Sequence, residues 1–581
     1  LTENRMEKRW VIKEKGDYAV VRQLAGALGV SEALANLMVQ RNITTSDEAR
    51  AFFVPDLGYL HDPFLMKDMN IAVERVATAI KKNEKILVYG DYDVDGTTAV
   101  ALMYSFLKEQ YSNVDYYIPD RYKEGYGVSL QGIDFAYQNN CKLVITLDCG
   151  IKAVEKVKYA RSKGLDVIIC DHHYPGDEIP RAVAVLDPKQ PSCSYPYKEL
   201  SGCGVGFKLI QAYSRIHGTP FSKIAHYLDL VAVSIASDIV PITGENRVLA
   251  YYGLKQLNES PRTGLREIIR EAEICRTLTI EDVVFKIGPR INAAGRMEAG
   301  SKAVELLISN DTKLATGISK EINNFNIERR SVDRIITTEA MRMISEDQRT
   351  VNARTTVLYN PSWKKGVIGI VASRLIETYY RPTVILTESN GFATGSARSV
   401  QGYDLYQAIE ACSDLLESFG GHMFAAGLTL KKENIRPFMD RFEQFVHSTI
   451  SEEQLVPRIF VDSELSFAEI NVDFFNILSK FQPFGPENMS PVFVTRNVTD
   501  AGTGRMVGSN GEHLKLDLLQ SSSGAMTFPA IAFNQADQFE YIRKGNPVDI
   551  CYSIEMNEFR GNKNLQLNIK DIKTSTFPSE A

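Results

Sequence analysis

Val88-Tyr89-Gly90-Asp91-Tyr92-Asp93-Val94-Asp95-Gly96-Thr97-Thr98 is the stretch whose reading decides the fold. Ile86, Leu87 and Val88 read as a short buried strand that stops at Gly90. Three carboxylates follow at every second position. Extended backbone carried briefly past the glycine would turn them all to one side. Like charges gathered in a partly desolvated place repel strongly, and a divalent cation relieves that repulsion. Gly96 releases the chain, and residues 97–102 begin a helix whose positive N-terminal end faces the same spot. A polar strand-to-helix loop with solvated acids would carry the same residues, so the rest of the chain must decide.

Upstream, residues 31–39 and 45–52 each open on a capping residue followed by helical apolar spacing. Residues 69–80 read as an amphipathic helix feeding the strand. Downstream, strands and helices alternate. A strand over 114–118 leads into the loop 120–127. A strand over 143–147 ends at Asp148-Cys149-Gly150, and one over 167–170 ends at Asp171-His172-His173. Continuous apolar strands separated by helices predict a parallel sheet covered on both faces. Ligands bind such sheets beyond the carboxyl ends of the strands. Acids stand at three of those ends, one followed by paired histidines, and this turns the balance toward a metal centre.

Gly202-Cys203-Gly204-Val205-Gly206 opens a further helix, with a spacing that fits tight packing as well as phosphate binding. An apolar helix over 226–236 ends at Ser237-Asp238. Residues 305–343 are long enough for one or two bridging helices. A second α/β unit runs from 355 to 427, and after 456 short alternating runs with Gly, Asn and Ser predict a small all-β barrel of the OB type. The expected division is a helical lead-in over 1–70, a catalytic domain over 71–260, a helical connector over 261–350, a smaller substrate-binding α/β domain over 351–455 and an OB-fold-like nucleic-acid-binding domain over 456–581.

A hydrophobic content of 44% with 24% charged residues belongs to an ordinary globular protein. No apolar run approaches the roughly 20 residues needed to cross a bilayer. Residues 1–10 lack the apolar core of a signal peptide. Eight cysteines without a C-x-x-C pair read as reduced thiols of a cytoplasmic protein. A net charge of −6 argues against a general nucleic-acid coat, so any polyanion site must be a local basic groove.

The metal candidates are Asp91, Asp93, Asp95, Asp148, His172 and Asp238, with His173 close behind. The catalytic set is Asp93, Asp95, Asp148, His172, His173 and Asp238. Not all of them need ligate: one of Asp91 and Asp93, and one histidine, can serve as an outer partner or a substrate contact. Carboxylates with imidazole suit Mn²⁺, and Mg²⁺ less well. A carboxylate shared by two ions about 3.5–4 Å apart would build a two-metal hydrolase. Arg121, Arg290, Arg296 and Arg398 each lie beside glycine or in a turn, where a phosphate can approach and guanidinium can bind it in a fork. His422, after Gly420-Gly421, either binds a phosphate or sugar oxygen or only caps its turn.

Asp91-x-Asp93-x-Asp95-Gly96, Leu147-Asp148-Cys149-Gly150, Asp171-His172-His173 and Ser237-Asp238 together resemble the four motifs of the DHH phosphoesterase superfamily. Gly420-Gly421-His422…Ala425-Ala426-Gly427 is similar to that superfamily's associated C-terminal domain. Arg121 in its Pro119-to-Gly127 loop, Arg290-Ile291-Asn292-Ala293-Ala294-Gly295-Arg296 and a terminal barrel resemble its bacterial exonuclease branch over roughly residues 20–575. The resemblance implies a parallel-sheet DHH domain and a second smaller α/β domain joined by a long helix, with a C-terminal all-β OB-fold-like barrel. It implies 5′→3′ hydrolysis of single-stranded DNA to nucleoside 5′-monophosphates with two Mn²⁺ or Mg²⁺ ions, in recombination and repair, beside a helicase and a single-strand-binding protein and away from membranes. Arg121, Ser396 and Arg398 would hold the terminal phosphate; Arg290, Asn292, Arg296 and His422 would hold the strand near the cut. One position departs: Lys364 stands where the resemblance expects histidine. Two other readings use the same residues. One is a phosphodiesterase for short RNA or cyclic dinucleotides, whose relatives lack the extra barrel. The other is a scaffold without hydrolysis, which the intact acids and histidines disfavour.

Overall fold

The computed structural model describes residues 6–520, 526–559 and 561–575. They fall into two compact units. Residues 55–455 with 485–487 form one; residues up to 54, 456–484 and those from 488 onward form the other.

The larger unit holds two five-stranded sheets. The first runs in the order Val114–Tyr117, Lys85–Gly90, Cys141–Leu147, Asp166–Cys170, Ala184–Leu186, every neighbour parallel. Its strands are apolar throughout because both faces are covered. Ile86, Val88, Leu143, Ile145 and Ile168 pack under the helices Val94–Lys108, Gly202–Ile216 and Leu228–Ser237. Leu87, Tyr89, Val144 and Ile169 face the helices Leu130–Gln138 and Val154–Ser162. Each aliphatic side chain buried there contributes roughly 1.5–3 kcal/mol. All carboxyl ends therefore open on one edge, and four of the five strands run straight into an aspartate: Asp91, Asp148, Asp171 and Asp187.

The extended backbone expected to carry Asp91, Asp93 and Asp95 past the glycine does not persist. The strand ends at Gly90 and the helix already begins at Val94, with Asp93 as its N-cap accepting from the Gly96 N–H at 3.0 Å. Capping stops the extended backbone, and the three acids sit on a tight turn where the Asp93 charge acts on both Asp91 and Asp95. That turn demands glycine: a Cβ on Gly90 would lie 2.4 Å from Val100, and one on Gly96 would lie 2.4 Å from the Asp91 carbonyl.

A 35-residue helix, Thr312–Glu346, spans about 50 Å. It packs against Gly288–Met297 near one end and Ile368–Tyr379 near the other. The second sheet has the order Leu416–His422, Ala425–Leu430, Phe392–Arg398, Thr383–Ser389, Thr356–Tyr359, and only its last pair is parallel.

In the smaller unit, Phe493–Asp500 pairs with both Val548–Phe559 and His513–Gln520. Thr527–Ala532 and Asn562–Thr574 complete the ring, so the sheet closes into a barrel. The lead-in contains its helices, Tyr18–Leu28, Glu32–Val39 and Ser46–Phe53. It also contains a strand, Arg9–Ile12, paired in parallel with Arg458–Val461. Residues up to 54 thus fold with the C-terminal part and not as a separate helical piece over 1–70. The eight cysteines are free, and all but Cys275 are buried. Among the described residues no helix is long and apolar enough to cross a membrane.

Candidate metal centre and phosphate site

At the carboxyl edge of the parallel sheet, His172 Nε2 stands 3.1 Å from Asp148 Oδ1, 3.5 Å from Asp238 Oδ2 and 3.7 Å from Asp95 Oδ2. Asp95, His172 and Asp238 bring donor atoms within one ion's reach, and so do Asp148, His172 and His173. Each side chain is delivered by a different element. Asp148 follows its strand in a left-handed conformation, with φ +57°. Asp238 ends the helix Leu228–Ser237. Asp95 is clamped: the backbone N–H groups of Gly202 and Cys203 and the Ser234 hydroxyl all donate to it at 2.7 Å. The Gly202-to-Gly206 run is thus a close-packing helix start that holds an acid, and not a phosphate loop. Asp93 faces the cavity beside this cluster, outside both three-donor groups. Asp91 is buried, with Oδ1 accepting from the Gly127 N–H at 3.1 Å.

The acids are uncomfortable without a cation. Burial, then the charge of Asp93, raises Asp91 far above the usual carboxylate range and lifts Asp95 to about 6. Burial and neighbouring aspartates also raise Asp148 and Asp238 strongly. Asp91 Oδ2 and Asp148 Oδ2 are buried with no hydrogen-bond partner. Burial and the adjacent His173 charge push His172 down to about 3, which keeps its imidazole neutral and able to ligate. Asp171 points the other way. Burial opposes its charge, but the His173 ring at 2.7 Å and the Ile151 N–H at 2.9 Å outweigh that and hold it below the usual range. The same bond overcomes the burial of His173 and lifts it to about 9. Buried carboxylates with orphaned oxygens and a neutral imidazole form a donor set that fits Mn²⁺ or Mg²⁺.

Basic groups share the cavity with the acids. It has a volume of about 280 Å³ and is lined by Asp93, Asp95 and Asp238 and also by Arg121, Asn292 and Arg296. Arg121 stacks over Tyr92 at 4.1 Å, and its buried Nε has no partner; nor has Asn292 Oδ1. Burial, then Arg121, Arg329 and Arg398, lowers Arg296 to about 9. Arg398 ends the strand Phe392–Arg398 with Nη1 at 3.0 Å from Ser396 Oγ, and burial lowers it as well. In register, Arg398 stands opposite Ala425, which stands opposite His422. His422 is exposed, and burial of its ring and the Arg398 charge lower it.

Of the expected substrate contacts, Arg121, Asn292 and Arg296 line this cavity, and Arg290, Ser396, Arg398 and His422 do not. Arg290 spends its guanidinium on Asn323 and on the Lys286 and Glu271 carbonyls, bracing one helix against another. Lys364 pairs with Glu328 at 2.9 Å. Several residues escaped the sequence reading. Tyr126 bonds His173 Nε2 at 3.2 Å. Buried Asp187, pushed up to about 7 by burial, sits at a strand end where the same rule that found Asp148 applies. Lys365 is lowered by burial and by Arg121, and adjoins Gly366 as the other basic candidates adjoin glycine. Arg329, on the long helix, carried no local signal; a helix arginine ordinarily reads as solvated.

Residues 85–235 match the DHH family, N-terminal domain; residues 352–448 match the DHHA1 domain; residues 461–571 match the RecJ OB domain. The chain is 38% identical over 98% of its length, and 71% of the relative's, to the single-stranded-DNA-specific exonuclease RecJ of Bacillus subtilis. It resembles the crystal structure of Thermus thermophilus RecJ in complex with Mn²⁺ at a TM-score of 0.84 and 26% identity, covering 98% of this chain and 80% of that one. The same protein in complex with Mg²⁺ gives a TM-score of 0.78 at 25% identity, over 98% and 79%. With an acid and imidazole centre suited to those ions and all three modules in order, this chain belongs to the RecJ exonucleases, metal-dependent nucleases of the DHH phosphoesterase superfamily.

Proposed function

We propose that the chain degrades single-stranded DNA from the 5′ end, releasing nucleoside 5′-monophosphates, with two divalent ions held by Asp93, Asp95, Asp148, His172 and Asp238 and with Asp91 beside them. The observation that carries this is the meeting of two unneutralised sets in one cavity: carboxylates pushed toward the neutral acid, Asp95 and Asp238, share it with Arg296, a guanidinium whose basicity burial depresses. A phosphodiester chain with its cations satisfies both at once. Bound there, the ions supply an acidified water and neutralise charge on the phosphoryl oxygens.

The chain's own groups do the rest. Asp171 holds His173 as an imidazolium whose Nε2 lies 3.2 Å from the Tyr126 hydroxyl, and a phosphoryl oxygen would compete with that hydroxyl for it. Asn292 and Arg296, with His422, grip the strand near the cut. Arg121, Ser396 and Arg398 hold the doubly charged terminal phosphate. The barrel holds the following strand, where stacking on aromatics contributes about 1–3 kcal/mol per base. Phe533 and Phe460 are exposed enough to serve, whereas Phe493 is core and the Phe559 side chain lies outside the described residues. Work in the cytoplasm beside a helicase and a single-strand-binding protein fits this substrate.

End-labelled single strands digested with Mn²⁺, Mg²⁺ or EDTA provide the test. Metal-dependent loss from the 5′ end is expected, even with the 3′ end blocked; attack from the 3′ end overturns the polarity. Arg398→Ala should lower kcat/KM on 5′-phosphorylated strands by about 10- to 100-fold, the value of one charged bidentate contact. The loss should shrink on 5′-hydroxyl strands, and equal losses remove Arg398 from the pocket.

A further inference from the structure

Three segments meet at one point beside the cavity. The turn after Val114–Tyr117 is braced from within. Asp120 Oδ1 accepts the N–H groups of Tyr122 at 2.8 Å and Lys123 at 2.9 Å. Glu124 accepts from the hydroxyls of Tyr117 at 3.0 Å and Ser129 at 2.5 Å. The stiff turn presents Arg121, stacked on Tyr92, and next to it Tyr122, whose hydroxyl donates to the Arg296 main-chain carbonyl at 2.5 Å.

Arg296 in turn donates from Nη1 to the Gly366 carbonyl at 2.7 Å. Gly366 closes the triangle, since a Cβ there would lie 2.6 Å from Tyr122 Oη and 2.9 Å from the Arg296 oxygen. Gly366 leads into the helix Ile368–Tyr379, and a Cβ on Gly369 would lie 2.8 Å from Ser396 Oγ and 3.0 Å from Arg398 Nη2. A continuous line of contacts thus runs from the loops of the metal-bearing sheet to the Ser396–Arg398 pocket, with no slack at either glycine.

We infer that Tyr122 is a positioning residue that, through Arg296 and Gly366, sets the span between the terminal-phosphate pocket and the metal centre, and with it the length of nucleotide released at each cut. The inference rests on the reading of Ser396 and Arg398 as the anchor of the terminal phosphate. An enzyme that grips the end and cuts at a fixed place measures its product by the distance between the two. Here that distance crosses two sheets of the same unit, and it holds only while the link between them does. With the link broken, the two sheets move as hinged bodies, and strands seated with an extra nucleotide between anchor and cut become productive.

The experiment uses the full chain with Mn²⁺ and compares the parent with Tyr122→Phe, which removes only the hydroxyl, and Gly366→Ala, which forces a methyl group into the triangle. Products from a 5′-phosphorylated single strand are resolved by mass. The parent is expected to release mononucleotides and both variants to add dinucleotides, with kcat/KM lower by about tenfold or more, since a 1 Å misplacement costs on the order of 100-fold. Hydrolysis of bis(p-nitrophenyl) phosphate, which has no terminal phosphate to anchor, should keep the parent's rate. Variants that release only mononucleotides overturn the inference, and so does a parallel loss on the small diester. Failure of the anchor reading shows itself separately, as an Arg398→Ala variant that keeps the parent's preference for 5′-phosphorylated over 5′-hydroxyl ends.

Discussion

Asp148 carries the sharpest conflict in the molecule. It is buried, raised well above the carboxylate range by burial, Asp95 and Asp93, and has an orphaned oxygen. The unfolded chain releases its proton near pH 4, whereas the metal-free native state keeps it to much higher pH. Between those values the native state binds more protons, so stability of the metal-free protein falls as pH rises, and Asp95, at about 6, adds to the fall. Metal reverses this by stabilising the charged forms, and its binding should release protons. Asp148→Asn removes the conflict and a ligand together. It should abolish Mn²⁺-dependent hydrolysis while raising the metal-free melting temperature above pH 6, by about 2–4 °C per kcal/mol relieved. Thermal scans from pH 4 to 8, with and without Mn²⁺, check both. Normal turnover by the variant would make Asp148 a loop acid.

The start of the helix Gly202–Ile216 acts as a clamp built from an element. Its first N–H groups take both oxygens of Asp95, where the helix dipole favours negative charge. The approach is possible only without a side chain: a Cβ on Gly202 would lie 2.6 Å from Asp148 Cβ and 2.8 Å from its Cα. Gly202→Ala should therefore displace Asp95 and Asp148 together. The expected result is Mn²⁺ affinity about 10- to 100-fold weaker, as for other losses of support behind a ligand, with the circular dichroism spectrum unchanged. Calorimetric Mn²⁺ titration measures it, and parent-like affinity would show that the clamp only packs.

On the scale of the whole chain, the larger unit contains every acid of the metal centre and the basic groups of the cavity, while the barrel belongs to the other unit together with residues up to 54. Deleting 456–581 alone would strip Arg9–Ile12 of its partner strand Arg458–Val461. The informative truncation is a 55–455 chain, which lacks the barrel and the lead-in together. It should retain hydrolysis of short oligonucleotides and lose affinity for long strands, by about 1–3 kcal/mol for each stacked base that the barrel supplies. Equal affinity for long strands before and after truncation would remove the barrel from the binding surface.

What could be read directly from the sequence followed from local rules. Apolar strands with acids at their ends mark the edge of a parallel sheet, because covered faces demand continuous hydrophobicity and carboxyl ends collect ligands. That placed Asp148 and His172 together before any coordinates, whereas Asp238, at the end of an apolar helix, joined them through the resemblance of its Ser237-Asp238 motif. Motifs with glycine beside arginine located Arg121, Arg296 and Arg398 in the same way, and their physical reason is backbone access. Long-range packing decided the rest. Only the fold turns Asp95 into a clamped acid, since its partners Gly202, Cys203 and Ser234 are more than a hundred residues away. Only the fold takes Arg290, which has the same local signature as Arg296, and spends it on carbonyls of neighbouring helices. Arg9–Ile12 finds its strand partner about 450 residues later for a similar reason: periodicity reports which face of an element is apolar, and only the tertiary structure says what covers it.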